Sequence, residues 1–151
     1  MVPSPEFFWA YNLDERYVDL YGRLYTHYVT EDTCEVCPEG WHMPSNEDWQ
    51  ILIESLGGPD VAGGKLKYTI TSLWLQPNAG ATNSSGFNGL PGGYRDWRGE
   101  FYHIRFGGYW WTSTGSSSST AYAKKVYYGY QKIETIKVDK RNAYYVRCVQ
   151  D

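Results

Sequence analysis

No apolar run approaches the roughly 20 residues that a membrane helix needs, so no part of the chain is expected to insert into a bilayer. Leu, Ile and Val are sparse, which excludes a core of aliphatic layers. The 15 Tyr, 7 Trp and 5 Phe must fill the interior with rings instead. Long stripes at helical spacing are also few, and a helical bundle is excluded with them. The basic residues form no dense run and the pI is 5.6, so the footprint of a nucleic-acid binder is missing. The first residues, MVPSPEFFWA, lack a basic start followed by an apolar stretch, which places any export signal outside them. Also absent are a Gly-x-Ser-x-Gly elbow, a segment of paired carboxylates and a Gly-rich phosphate loop before a helix, and their absence lowers the case for an enzyme.

What is there suits one domain spanning residues 1–151, long enough to bury roughly two-thirds of the surface its unfolded form exposes. With 16 Gly and 7 Pro, most of it should be short strands, turns and ordered loops. Charge is uneven. Residues 1–60 hold 12 acids and 2 bases, 61–120 hold 2 and 5, and 121–151 hold 3 and 7. The basic end is expected to neutralise the acidic start within the fold rather than to meet an acidic ligand.

Along the chain, residues 7–28 alternate aromatic and polar positions and read as extended segments around a turn at Gly22. The clearest element follows. Ser45 is a good N-cap, Asp48 a capping-box partner, and Trp49, Leu52, Ile53 and Leu56 fall on one helical stripe that Gly57 and Gly58 end. DVAGGKLKY predicts a second short helix, weakened by Gly63 and Gly64 at about 1 kcal/mol each relative to Ala. Residues 74–105 show no period and read as a long ordered loop region. Four strand-like runs close the chain as an antiparallel meander, at 107–114, 121–128, 132–138 and 143–149, with Ser116–Ser119 as a hairpin tip.

Three cysteines narrow the chemistry. Cys34-Glu-Val-Cys37 is a poor redox motif, because Pro38 and Gly40 follow Cys37 where a helix N-terminus would be needed. A zinc site wants about four ligands, and three Cys with scattered His27, His42 and His103 supply no second paired spacing. The better reading joins Cys37 to Cys148 and leaves Cys34 over, which fits an exported protein. Trp41, Trp49 and His42 are expected in the core, His42 as a satisfied imidazole. Gln76-Pro77-Asn78 matches a calcium-binding tripeptide of sugar-binding lectins, but the partner Trp-Asn-Asp motif is missing and a simple turn is favoured. No metal and no cofactor is expected, and calcium has no supporting motif.

The remaining candidates are aromatic and basic residues for ligand contact: Tyr122, Lys124, Tyr127, Tyr128, Tyr130, Lys132 and Tyr144 on the late segments, and Tyr94, Arg95, Trp97 and Arg98 on the preceding loop. Strand alternation puts Tyr122, Lys124 and Tyr128 on one face and Ala121, Ala123 and Tyr127 on the other. Tyr and Trp offer rigid amphipathic area suited to protein epitopes and sugar rings, and the competing reading is that these rings cover a Leu-poor core.

Taken in order, WAYNL (9–13), YGRLYT (21–26), CPEGWHMPSNEDW (37–49), AGGKLK (62–67), ATNSSGFNGLPGGYR (81–95), GGYWWTST (107–114) and YVRC (145–148) resemble the Fibrobacter succinogenes major paralogous domain family over nearly the whole chain. The resemblance implies an α+β, C-type lectin-like fold shared with formylglycine-generating enzymes: two short helices on small antiparallel sheets, long ordered loops and chain ends brought together. It implies a trimmed N-terminal strand, and it too implies a Cys37 to Cys148 bridge. HYVTEDTCEV (27–36) departs from the family pattern, since β-branched Val29, Thr30 and Thr33 disfavour the helical turn usual there. The function expected is a non-catalytic extracellular or cell-surface module binding a glycan or a protein. One variant is a retroelement-diversified receptor varying Tyr122, Lys124, Tyr127, Tyr128, Tyr130, Lys132 and Tyr144. The alternatives are an oxidase, which would need a reactive cysteine pair, and a structural surface tile.

Overall fold

The computed structural model describes residues 7–30, 36–70 and 72–151. In chain order its elements are β1 (Phe8–Trp9), α1 (Arg16–Tyr21), β2 (Leu24–Thr26), β3 (Trp41–His42), α2 (Asn46–Ser55), α3 (Pro59–Leu66), β4 (Gly92–Arg95), β5 (Phe101–Ile104), β6 (Gly107–Gly115), β7 (Thr120–Tyr127), β8 (Ile133–Asp139), β9 (Ala143–Tyr144) and β10 (Val149–Gln150). They form an antiparallel sheet of order β1-β2-β9-β4-β5, a meander β6-β7-β8 and a short pair β3-β10. The architecture is therefore mixed, with helices beside small antiparallel sheets. Among the described residues no helix is long and apolar enough to cross a membrane.

Three expectations about secondary structure need correction. Residues 16–21 are helical, not extended: Tyr17 and Tyr21 stack one turn apart with ring centroids 6.1 Å apart, and Gly22 at φ 81° ends the helix. Over six residues their spacing fits either period, and the ring pair decides it. The described residues thus form three α-helices rather than two. The region 74–105 contains the β4-β5 hairpin, whose Gly93 approaches the Tyr102 carbonyl so closely that a Cβ would lie 2.2 Å from it. Residues 143–149 are not one strand of the meander. Ala143–Tyr144 joins the five-stranded sheet beside β2 and β4, while Val149–Gln150 pairs with β3.

The capping box at α2 forms as expected: Ser45 Oγ accepts from the Asp48 N–H and the Asp48 carboxylate accepts from the Ser45 N–H. Trp49 and Ile53 are buried and Leu52 and Leu56 pack against them. Two cores result, one on each face of the meander. Trp110, Val126 and Ile133 face α2 and α3, meeting Trp49, Ile53, Ala62 and Leu66; Tyr109, Trp111, Ala121 and Ala123 face the other way.

Helix α3 is docked by backbone approach and one buried charge. A Cβ on Gly63 would lie 2.3 Å from the Lys132 carbonyl oxygen, and one on Gly64 would lie 2.2 Å from that of Gly80. The glycines that weaken α3 in isolation therefore admit the turn between β7 and β8. Just after them, Lys67 is wholly buried and donates to the carbonyls of Ala79 (2.8 Å), Tyr127 (3.0 Å) and Tyr130 (3.1 Å). Three N–H donors meet three acceptors, which satisfies the ammonium without a carboxylate.

Trp41 is not core. It is 45% exposed, and His42 beside it is exposed, bridging Asp151 (2.7 Å) and Asp48 (3.1 Å). These bonds, Asp151 first, hold the imidazole above its usual pKa and explain why it stays at the surface.

Cys37 and Cys148 are joined, their Cα atoms 5.7 Å apart across 111 positions. The leftover Cys34, with Thr33 and its neighbours in 31–35, lies outside the described residues.

Two outcomes follow for stability. Changing both Cys37 and Cys148 to Ser should lower the unfolding free energy by roughly 4 to 5 kcal/mol, measured by urea unfolding; a loss below about 1 kcal/mol would mean that packing alone closes this loop. Lys67→Met strands three carbonyls and should lose about 3 kcal/mol or more. Burial pushes the Lys67 pKa down to about 8 from its ordinary 10.5, so between those values the unfolded chain holds the extra proton and this group's contribution to stability rises with pH. The difference between wild type and Lys67→Met, measured from pH 7 to 10, checks the sign.

Candidate functional site

An open groove of about 610 Å³ lies between the β4-β5 hairpin and the face of the meander turned away from the helices. Its floor is a set of rings: Tyr94 lies 4.8 Å from Tyr109 and 5.4 Å from Tyr144, and Tyr109 stacks on Tyr144 at 5.7 Å. Burial, above all, raises the pKa of the Tyr109 and Tyr144 hydroxyls, so both remain neutral hydrogen-bonding groups.

The tight turn 96–100 makes one wall. Asp96 Oδ1 accepts from the N–H groups of Arg98 and Glu100 (both 2.9 Å), and the Trp97 N–H donates to Asn142 Oδ1 (2.9 Å). Trp97 is 48% exposed, with the guanidinium of Arg98 5.0 Å and that of Arg141 4.6 Å from its ring centre. Both contacts fix the indole at the surface. Arg141 is paired with Asp139, whereas Arg98 has no ion pair among the described residues.

Lys125 and His103 complete the lining. Glu134, the carboxylate 3.7 Å from Lys125, is also held by Lys132 (3.2 Å) and by the Tyr130 hydroxyl. His103 Nδ1 meets the Tyr109 hydroxyl at 2.6 Å. Desolvation first, and the Lys125 ammonium second, hold its pKa below the ordinary imidazole value and favour the neutral ring.

The eleven candidate residues divide. Tyr94, Trp97, Arg98 and Tyr144 line the groove, Tyr144 as floor with only 2% of its surface exposed. It is not a free surface position. Arg95 points the other way on β4 and stacks on Trp9 at 4.1 Å, as strand alternation requires. Tyr127, Tyr130 and Lys132 gather at the β7-β8 turn, with Tyr127 and Tyr130 5.3 Å apart and Lys132 over the Tyr130 ring. Tyr128 packs edge-on against Phe106 and joins the helix-side core.

The alternation along β7 is right, but the face expected to be open is the packed one. Tyr122 and Lys124 lie on the helix side; Tyr122, opposite Lys137 in register, stays half-buried, while Lys124 is wholly buried and donates to Asn46 Oδ1 (2.9 Å) and Thr135 Oγ1 (2.6 Å). Lys124 is therefore a buried tie between α2 and β8. Lys124 and Tyr144, two of the seven expected variable positions, thus lie in the interior and not at the surface.

Sequence reasoning missed His103, Tyr109 and Lys125. The available signal was Ala121 and Ala123, small residues that leave their own face of β7 shallow and so mark Lys125 as the lysine beside the groove.

The family model for the Fibrobacter succinogenes major domain matches residues 3–150. The chain belongs to the Fibrobacter succinogenes major domain family. No match was found among curated proteins or solved structures. In this family member, the residues that carried the resemblance supply the frame more than the groove: Gly63, Gly64 and Lys67 seat α3, and Cys37 and Cys148 close the chain. Among the described residues no group of three or more His, Cys, Asp or Glu is placed to hold a metal ion.

Lys125→Gln should raise the His103 pKa, followed by NMR titration of the imidazole, because a neighbouring positive charge is removed. An unchanged or lower value would show that Lys125 does not set the field in this groove.

Proposed function

We propose that this protein is a non-catalytic binding module of the C-type lectin-like type, displayed outside the cell, and that it takes a glycan or protein ligand in the groove under Trp97. The observation that carries this reading is a half-exposed indole, fixed by two guanidiniums, standing over a floor of three tyrosines. Rings held this way offer contact area whose ordering cost is already met by the fold. A groove of several hundred Å³ lined by rings and by charged and polar side chains has the dimensions of a ligand site. The disulfide supports an oxidising compartment. It also removes Cys37 and Cys148 from redox chemistry, which weighs against the oxidase reading.

A glycan array and a pull-down from cell-surface extracts, run with the wild type and with Trp97→Ala, test this. Binding that falls about tenfold or more in Trp97→Ala, with an unchanged melting temperature, is the expected result. Retention of full affinity by that variant would move the ligand elsewhere, and silence in both assays would remove the binding reading.

A further inference from the structure

A second, smaller recess lies on the opposite side of the meander, over the helix-side core. It measures about 170 Å³ and is walled by Pro44, Trp49, Leu52, Phe87 and Val149, with Arg147 at its mouth. The walls are almost wholly apolar, and a cavity near 150 Å³ holds a benzene-sized body.

One donor at this recess, the Arg147 guanidinium, has no ion pair among the described residues. It lies 4.4 Å from the Phe87 ring centre. Trp49 forms part of the wall with its ring; it is 2% exposed, and its indole Nε1 is enclosed within the protein, without a hydrogen-bond partner among the described residues. Asp48, the one carboxylate on the lining, is engaged by the Ser45 N–H (2.9 Å) and His42 (3.1 Å).

We propose that this recess binds a small carboxylic acid with a ring-sized apolar body, the body lying against Leu52, Phe87 and Val149 and the carboxylate accepting from Arg147. An unpaired guanidinium asks for an anion and matches a carboxylate in two-point geometry. The apolar walls ask for a hydrocarbon, and the volume limits it to about one ring. A sugar fits poorly, since most of its hydroxyls would face groups that cannot bond them. The site is separate from the groove, so it stands or falls independently of the binding function proposed there.

Phenylacetate added to the full, ¹⁵N-labelled chain provides the test, with 2-phenylethanol as the uncharged body and acetate as the charge without a body. The Trp49 indole N–H signal should move saturably with phenylacetate, half-maximal below about 5 mM. Phenylethanol and acetate should each bind about tenfold more weakly, and Arg147→Gln should cost about tenfold. Should Arg147→Gln unfold, Val149→Phe fills the recess from β10 and should abolish the shift. No saturable movement of the Trp49 signal up to about 50 mM, or equal affinity for phenylethanol, overturns the proposal. So does an unchanged affinity in a folded Arg147→Gln chain.

Discussion

One buried ammonium and two glycines hold the halves of this protein together. Lys67 binds carbonyls from the loop at Ala79 and from the β7-β8 turn at Tyr127 and Tyr130. Gly63 and Gly64 let α3 approach Lys132 and Gly80 at backbone distance. Neither device works alone. The lysine needs the close approach to reach its acceptors, and the close approach leaves carbonyls that need a donor. Loss of helix propensity at two glycines costs about 2 kcal/mol in all, a term of the same order as the three charge-assisted bonds it makes possible.

That contact fixes the phase of the meander, and the phase decides where chemistry can occur. With the β7-β8 turn clamped to α3, Trp110, Val126 and Ile133 must face the helices. Their alternates, Tyr109, Trp111, Ala121 and Ala123, then face the five-stranded sheet, where Tyr94 and Tyr144 reach them. The groove is what remains where this second core runs out beneath the turn 96–100. A shift of one residue along β7 would exchange Lys124 for Lys125 and bury the wrong lysine.

The parts legible in the sequence are those specified by local chemistry. Ser45 and Asp48 announce a capping box, Gly57 and Gly58 a stop, and the three late strands up to Asp139 their alternation. What the chain order hides is which face of a strand another element will cover. Lys124 reads as surface because lysines usually are, and only the coordinates bring Asn46 and Thr135 to it. Residues 143–149 read as one strand by composition, yet the chain passes from the five-stranded sheet to the β3 pair within them, a change of partner that leaves no mark in hydropathy. Trp41 reads as core for the same reason that Trp49 does. The difference is that Trp49 sits on the buried stripe of α2, while Trp41 lies on a two-stranded ribbon.

The corner that is densest in specifying residues, 37–49, therefore has two jobs separated by a few ångströms. Cys37 ties down Cys148, and this anchors the residues on either side of it, Arg147 and Val149, over Trp49. Val149 is further held opposite His42 in the β3-β10 pair, and His42 in turn grips Asp48 of the capping box and Asp151 beyond the strand. Together these bonds link the start of α2, through His42, to residues 148–151. Crosslinked at Cys148 and paired at Val149, this stretch holds its place beside Trp49 and walls the recess.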